Sequence, residues 1–182
     1  NGMTEQRQQQ TIRPVPTEVL TPVVRGLRGI SKDTMEFYGV KTYLNSAGEE
    51  VKQDYPYPSG GIKTRFFPKD FRAKDLKADE LFGMNLFTAG SSKMVTITEG
   101  ELDALSVAQI LKSGYTNPVV SLPSATPSKK LWENCADWLN SFEKIILSVD
   151  NDDAGNALAD KVSKLFPNKV YRVDHRPFKD AN

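Results

Sequence analysis

An α/β fold is predicted, built on a parallel sheet with helices on both faces and preceded by a small β-rich, α+β subdomain. Three observations predict it. From residue 93 onward, short runs rich in β-branched residues alternate with helical patterns and little slack between them, the order that parallel βαβ crossovers produce. Before residue 84, strand-like runs are separated only by the turns "SAGE" and "SGG", the grammar of a small meander. At 182 residues and 38% apolar letters, the chain suits one ordinary domain or two small subdomains sharing a core.

Each element follows in order. Residues 1–22 read as a flexible, proline-bearing arm; its opening "NGMTEQRQQQ" is polar, and the glutamines near residues 8–10 are read as a tail. In "RGLRGISKDTMEFYGV" (25–40), Ser31 is an N-cap for a short helix. The runs "KTYLN", "EVKQDYPYP" and "IKTRFFP" are the strands of the meander. At "MNLFTAGSSK" the letters turn small and polar, which divides a subdomain at 23–90 from one at 91–182. Strands are then expected at 93–98, 118–122, 144–149 and 169–173, with helices at 101–114, 128–142 and 153–166. In the first helix, Leu102, Leu105, Ala108 and Leu111 fall at helical spacing and Gly114 is a natural stop. Trp132, Trp138 and Cys135, all on the second helix, are read as packing residues.

Composition excludes several classes. With 24 basic against 23 acidic residues, no global field argues for a nucleic acid or a membrane surface, so any such signal is local. A single cysteine excludes internal disulfides and cysteine-rich zinc sites and fits a reducing compartment. No apolar run approaches the roughly 20 residues of a membrane span, and a soluble, intracellular protein is expected. The one histidine, His175, supports neither a zinc site nor a catalytic triad. The closing "FKDAN" has the look of an excised piece.

In parallel sheets, ligands sit outside the carboxyl ends of the strands. Two acids are expected there: Glu99 directly after one strand and Asp150 directly after another. Around the first, "TEGELDALS" adds Glu101 and Asp103, which also suit the positive end of the following helix. Around the second, "ILSVDNDDAGNAL" adds Asp152 and Asp153, each explicable as a helix-start residue. Asp150 has no such explanation. An Asp-x-Asp pair lets two carboxylates converge on one hard divalent cation, and a glutamate at the matching strand end strengthens that reading. A third constellation is basic: residues 62–77 carry Lys63, Arg65, Lys69, Arg72, Lys74 and Lys77 against Asp70 and Asp75, with Phe66, Phe67 and Phe71 interleaved. Cations with aromatics hold single strands and nucleotides; the alternative is a solvated strand whose phenylalanines face the core.

"TEGELDAL" followed by "VDNDDAG", with "VVSLP" between, resembles the TOPRIM domain of DnaG-type primases, topoisomerases of types IA and II, OLD nucleases and RecR proteins. The order of "GISKDTMEFYGV", "IKTRFFPKDF", "DELFG", "VTITEGELDAL", "VVSLP" and "KDAN" narrows the resemblance to the primase half of T7-like phage primase–helicases and the related Twinkle helicase, over about residues 25–182. One departure is the loop "SLPSATPS", which lacks the glycine many relatives show after the proline.

The resemblance implies a primase core that makes RNA on a single-stranded DNA template from ribonucleoside triphosphates. It implies Mg²⁺ (or Mn²⁺) at Glu99, Asp150, Asp152 and Asp180, with Glu101 and Asp103 as secondary acids and Glu99 as either a ligand or a base. It implies basic contacts to nucleotide or nucleic acid from Lys63, Arg65, Lys69 and Arg72, joined by Lys179. No P-loop and no cysteine quartet occur in this stretch, so no zinc is expected in this chain and zinc-binding and helicase domains are expected in cis or in trans. A cytoplasmic location in a bacterial host follows if the protein is phage-encoded. Two other readings stay open: a catalytically silent, Twinkle-like module that binds nucleic acid or supports a helicase ring, and a TOPRIM nuclease.

Overall fold

The computed structural model describes residues 18–68, 70–111 and 115–173. Its first half is an antiparallel sheet in simple sequence order: β1 (Thr21–Val23), β2 (Lys41–Leu44), β3 (Glu50–Pro56), β4 (Ile62–Phe66) and β5 (Asp70–Lys74). Helix α1 (Lys32–Tyr38) is inserted after β1. Ser31 caps it, its Oγ accepting the Thr34 N–H at 3.3 Å, and Gly39 ends it at φ 72°. The three expected strands of the meander are present as β2, β3 and β4. The two edge strands were not visible in the sequence for a physical reason. β1 has three residues, one of them a proline, and begins inside the stretch read as an arm; all five residues of β5 are exposed, so it shows no apolar alternation. Short, charged or proline-bearing strands are what sheet edges carry.

The second half follows the expected alternation: β6 (Met94–Thr98), α2 (Glu101–Leu111), β7 (Val119–Ser121), α3 (Lys129–Asn140), β8 (Lys144–Ser148), α4 (Asp153–Leu165) and β9 (Val170–Arg172). The expected stop at Gly114 lies outside the described residues. All four strands are parallel, in the order β7-β6-β8-β9. The step from β6 to β7 runs opposite in direction to the steps β7 to β8 and β8 to β9, so right-handed crossovers put α2 on one face and α3 with α4 on the other. The Trp132 ring of α3 meets Phe166, just past α4, at 6.4 Å.

One core serves both sheets, taking in Met35 and Tyr38 from α1, Tyr55 from β3, and Ile97, Leu131 and Leu147 from the second half. The stretch between the sheets joins them. Leu81 and Phe82 of "DELFG" are fully buried, and Phe82 exchanges two main-chain hydrogen bonds with Ser121, at 2.9 and 3.1 Å, on the outer edge of β7. Gly83 turns the chain there at φ 84°, where a Cβ would stand 2.9 Å from the Tyr38 ring. Trp138 and Cys135 are buried as expected, the Trp138 indole N–H donating to the Phe87 carbonyl at 3.0 Å. Among the described residues, no helix is long and apolar enough to cross a membrane.

Candidate metal and nucleotide site

The register of the parallel sheet builds the acidic half of the site. Thr98 of β6 stands beside Ser148 of β8, so the chain leaves both strands at the same edge. There the Glu99 carboxylate accepts the Asp150 main-chain N–H at 3.0 Å. Asp152 has the capping duty its position predicts: its Oδ1 accepts the Gly155 N–H at 2.7 Å and starts α4. Burial pushes the Glu99 carboxyl above its ordinary range, and the charges of Asp150 and Asp152 push it the same way, against the hydrogen bond from Asp150 N–H.

Three carboxylates at one sheet edge are hard oxygen donors of the kind a divalent cation takes. Among the described residues, no three acidic, histidine or cysteine side chains converge at ligand spacing. One oxygen of Asp152, Oδ1, is engaged in capping α4. This donor set fits Mg²⁺, which takes one or two protein carboxylates and completes its shell with water and substrate phosphates.

The basic half comes from the first sheet. Along β4, Lys63 and Arg65 share the face turned toward α2, and between the sheets lies a cavity of 370 Å³ lined by Arg28, Arg65, Phe71, Gly100, Glu101 and Asp103 among others. Lys63 reaches across to Glu101 at 2.7 Å and donates to the Pro123 carbonyl at 2.9 Å. The Tyr57 hydroxyl donates to the same Glu101 at 2.8 Å, and its own pKa is raised by burial and by that carboxylate. Glu101 is therefore a buried strut between the two sheets, and Lys63 its counter-ion. The loop that lacks the relatives' glycine supplies a main-chain acceptor for Lys63.

Other expected site residues are placed differently. Arg72 pairs with Thr64, on the opposite face of the sheet from Lys63 and Arg65; it lies over the Phe66 ring at 5.0 Å and next to Asp70 at 3.5 Å. Phe66, Phe67 and Phe71 are not part of the core; Phe71 is 50% exposed and lies beneath Lys63 and Arg65 in cation–π contacts of 5.2 and 5.7 Å. Lys69, Lys179, Asp180 and His175 lie outside the described residues. Sequence reasoning missed Arg28, which the tight Leu27 to Ile30 turn, with Arg28 at φ 53°, delivers to the cavity from 35 residues before the basic stretch's Lys63. The only local signal was an arginine directly before a glycine.

A parallel sheet with an acidic carboxyl edge, set against an antiparallel sheet that offers cations across a shared cavity, defines a Toprim-type catalytic domain with an N-terminal partner sheet. The Toprim-like family matches residues 96–182. The chain is 36% identical over 162 residues to the DNA helicase/primase of Enterobacteria phage T3, an alignment covering 85% of this chain and 28% of that protein. It is 28% identical over 182 residues to the Twinkle homolog protein, chloroplastic/mitochondrial, of Arabidopsis thaliana, covering 24% of it. The chain thus spans about a quarter of the length of these curated relatives. The crystal structure of the primase fragment of the bacteriophage T7 primase-helicase protein superposes with a TM-score of 0.75 at 32% identity, covering 88% of this chain and 68% of that one. The RNA polymerase domain of Mycobacterium tuberculosis primase DnaG shares the fold, with a TM-score of 0.51 at 17% identity and coverage of 81% and 56%. This chain belongs to the family of TOPRIM-containing primase domains of T7-like phage primase–helicases.

Proposed function

We propose that this chain is the catalytic core of a DNA primase, which joins ribonucleotides into short RNA primers on a single-stranded DNA template. The observation that carries the reading is the pairing of Glu99 with Asp150 at the sheet edge, one residue from a cavity that also holds Arg28 and Arg65. Acids and cations that close together suit a triphosphate and its counter-ion. Glu99, Asp150 and Asp152, joined by Asp180, would hold Mg²⁺ or Mn²⁺. When bound there, such an ion would supply charge neutralisation for the triphosphate and for the oxygens exchanged in phosphoryl transfer.

The protein's own contribution is placement. The strands present Glu99 and Asp150 at fixed height, the Asp152 cap holds the turn that carries Asp150, and Arg28 and Arg65 offer guanidinium groups to phosphate oxygens. Phe71, half exposed beneath two cations, offers a face for a base. Arg72 extends the positive surface for template or nucleotide, and the same role is proposed for Lys69 and Lys179 from the sequence. The partners proposed are single-stranded DNA and ribonucleoside triphosphates, with zinc-binding and helicase domains in cis or in trans.

The test is incubation of the chain with a single-stranded template, labelled ribonucleotides and Mg²⁺ or Mn²⁺. Short RNA products are expected. Template binding without RNA would make the chain a silent, helicase-supporting module, and cleaved DNA would make it a nuclease.

A further inference from the structure

β9 contributes a cation to the acidic turn that no metal-ligand or phosphate-binding pattern includes. Arg172 pairs with Leu147, three residues before Asp150, and its half-buried side chain lies on the α4 face of the sheet. One terminal nitrogen of its guanidinium donates to the main-chain carbonyl of Asp150, and the other donates to the Asn156 side-chain oxygen on α4. Its Nε is buried without a hydrogen-bond partner among the described residues. Burying a guanidinium this way costs free energy, and what it holds is one main-chain carbonyl and one side-chain amide.

The Asp150 main chain is gripped from both sides. Its N–H is held by Glu99 at 3.0 Å and its C=O by Arg172. The next turn is adapted to this grip: a Cβ on Gly155 would lie 2.0 Å from the Asp150 carbonyl oxygen and 3.2 Å from Arg172. Glycine there lets the first turn of α4 close onto the carbonyl that Arg172 meets. The Asn156 N–H donates to the Asp152 carbonyl at 2.9 Å, so the residue that receives the second arm of the fork also ties down Asp152. A planar fork can span two acceptors in this way; a lysine ammonium cannot hold both in a fixed geometry.

We propose that Arg172 is a positioning residue for the metal-binding turn: gripping the Asp150 carbonyl and the Asn156 side chain together, it sets the direction from which the Asp150 and Asp152 carboxylates act. The proposal rests on the primase reading for its chemistry and for the Mg²⁺ titration, whereas the exchange measurement stands apart from that reading. Groups that orient metal ligands are worth about 10–100-fold in metal affinity or activity when altered.

The experiment compares wild type with R172K and N156A. Amide hydrogen exchange of residues 150–156 is measured in metal-free protein, and RNA synthesis is titrated with Mg²⁺. In R172K, exchange of this turn is expected to rise at least about tenfold while α3 and β6 keep their protection, and half-saturating Mg²⁺ to rise about 10–100-fold. N156A is expected to move both readouts the same way by less, and the double variant to be no worse than R172K, because the two side chains act as one unit. Wild-type exchange of the turn in R172K overturns the proposal, and so does a loosened turn with unchanged Mg²⁺ dependence, which would make the contact merely structural. If wild type itself makes no RNA, the primase reading fails, and exchange of the turn alone decides whether Arg172 positions it.

Discussion

Glu99 and Asp150, 51 residues apart in the chain, meet at 3.0 Å through a carboxylate and a main-chain N–H. The side chain of one acid thereby fixes the backbone of the other. Two acids arranged in this way keep both carboxylates at one sheet edge.

Asp150 and Asp152 separate the chemistry from the fold. D150N is expected to abolish primer synthesis, since losing several kcal/mol of transition-state stabilisation costs more than roughly a hundredfold in rate, while the melting temperature stays at the wild-type value. D152N keeps an oxygen to cap α4 and removes the charge, whereas D152A loses both and should cost about 1 kcal/mol of stability as well. Primer yield and urea denaturation of the two variants distinguish the duties. Wild-type dinucleotide synthesis by D150N would remove Asp150 from the site.

The raised pKa of Glu99 sets a direction for pH. Protonated Glu99 suits the metal-free fold better than the carboxylate does, so its contribution is complete below the ordinary value of 4.5 and is lost as pH climbs through the raised one. Thermal melts of metal-free wild type are expected to show this decline across that window, and melts of E99Q are not. Added Mg²⁺ should flatten the wild-type curve. Parallel curves for the two proteins would place Glu99 in an ordinary solvated environment.

Lys63 and Glu101 form the strut between the sheets, with side chains 16% and 4% exposed. Removing only the cation leaves a buried carboxylate, so K63M is expected to lose about 3–5 kcal/mol of unfolding free energy. K63M/E101Q should recover most of that loss, because a neutral amide needs no counter-ion. Denaturant titrations check both, and a K63M protein of wild-type stability would mean that Glu101 finds another partner.

Arg65 and Arg72 sit on opposite faces of one sheet, and their variants should differ in kind. R65A is expected to raise the KM for ribonucleotides roughly tenfold, the worth of one charge-assisted hydrogen bond of about 1.5 kcal/mol. R72A should leave that KM unchanged and weaken template binding at low salt. Steady-state kinetics and fluorescence anisotropy with labelled single-stranded DNA check the pair. A nucleotide KM that moves equally in both variants would place the two arginines on one phosphate path.

Features that depend on neighbours a few residues away are legible in the chain. Helical and strand periods placed every element of the parallel half, Ser31 and Asp152 announced the starts of α1 and α4, and the position of Glu99 and Asp150 directly after strands put both at the carboxyl edge. Tertiary structure decided the rest, because sheet order and register bring together residues whose separation no local pattern encodes. Lys63 reads as a nucleotide contact in sequence, and the fold gives it a second tie across 38 residues, as the partly buried counter-ion of Glu101. Arg28 enters the cavity from a turn outside the basic stretch, Arg72 leaves for the opposite face by strand alternation, and Arg172 grips Asp150 across 22 residues because β9 lies beside β8. Acids at strand ends are legible from the chain because the strands carry them there directly; the cations that hold and answer them depend on which strands become neighbours.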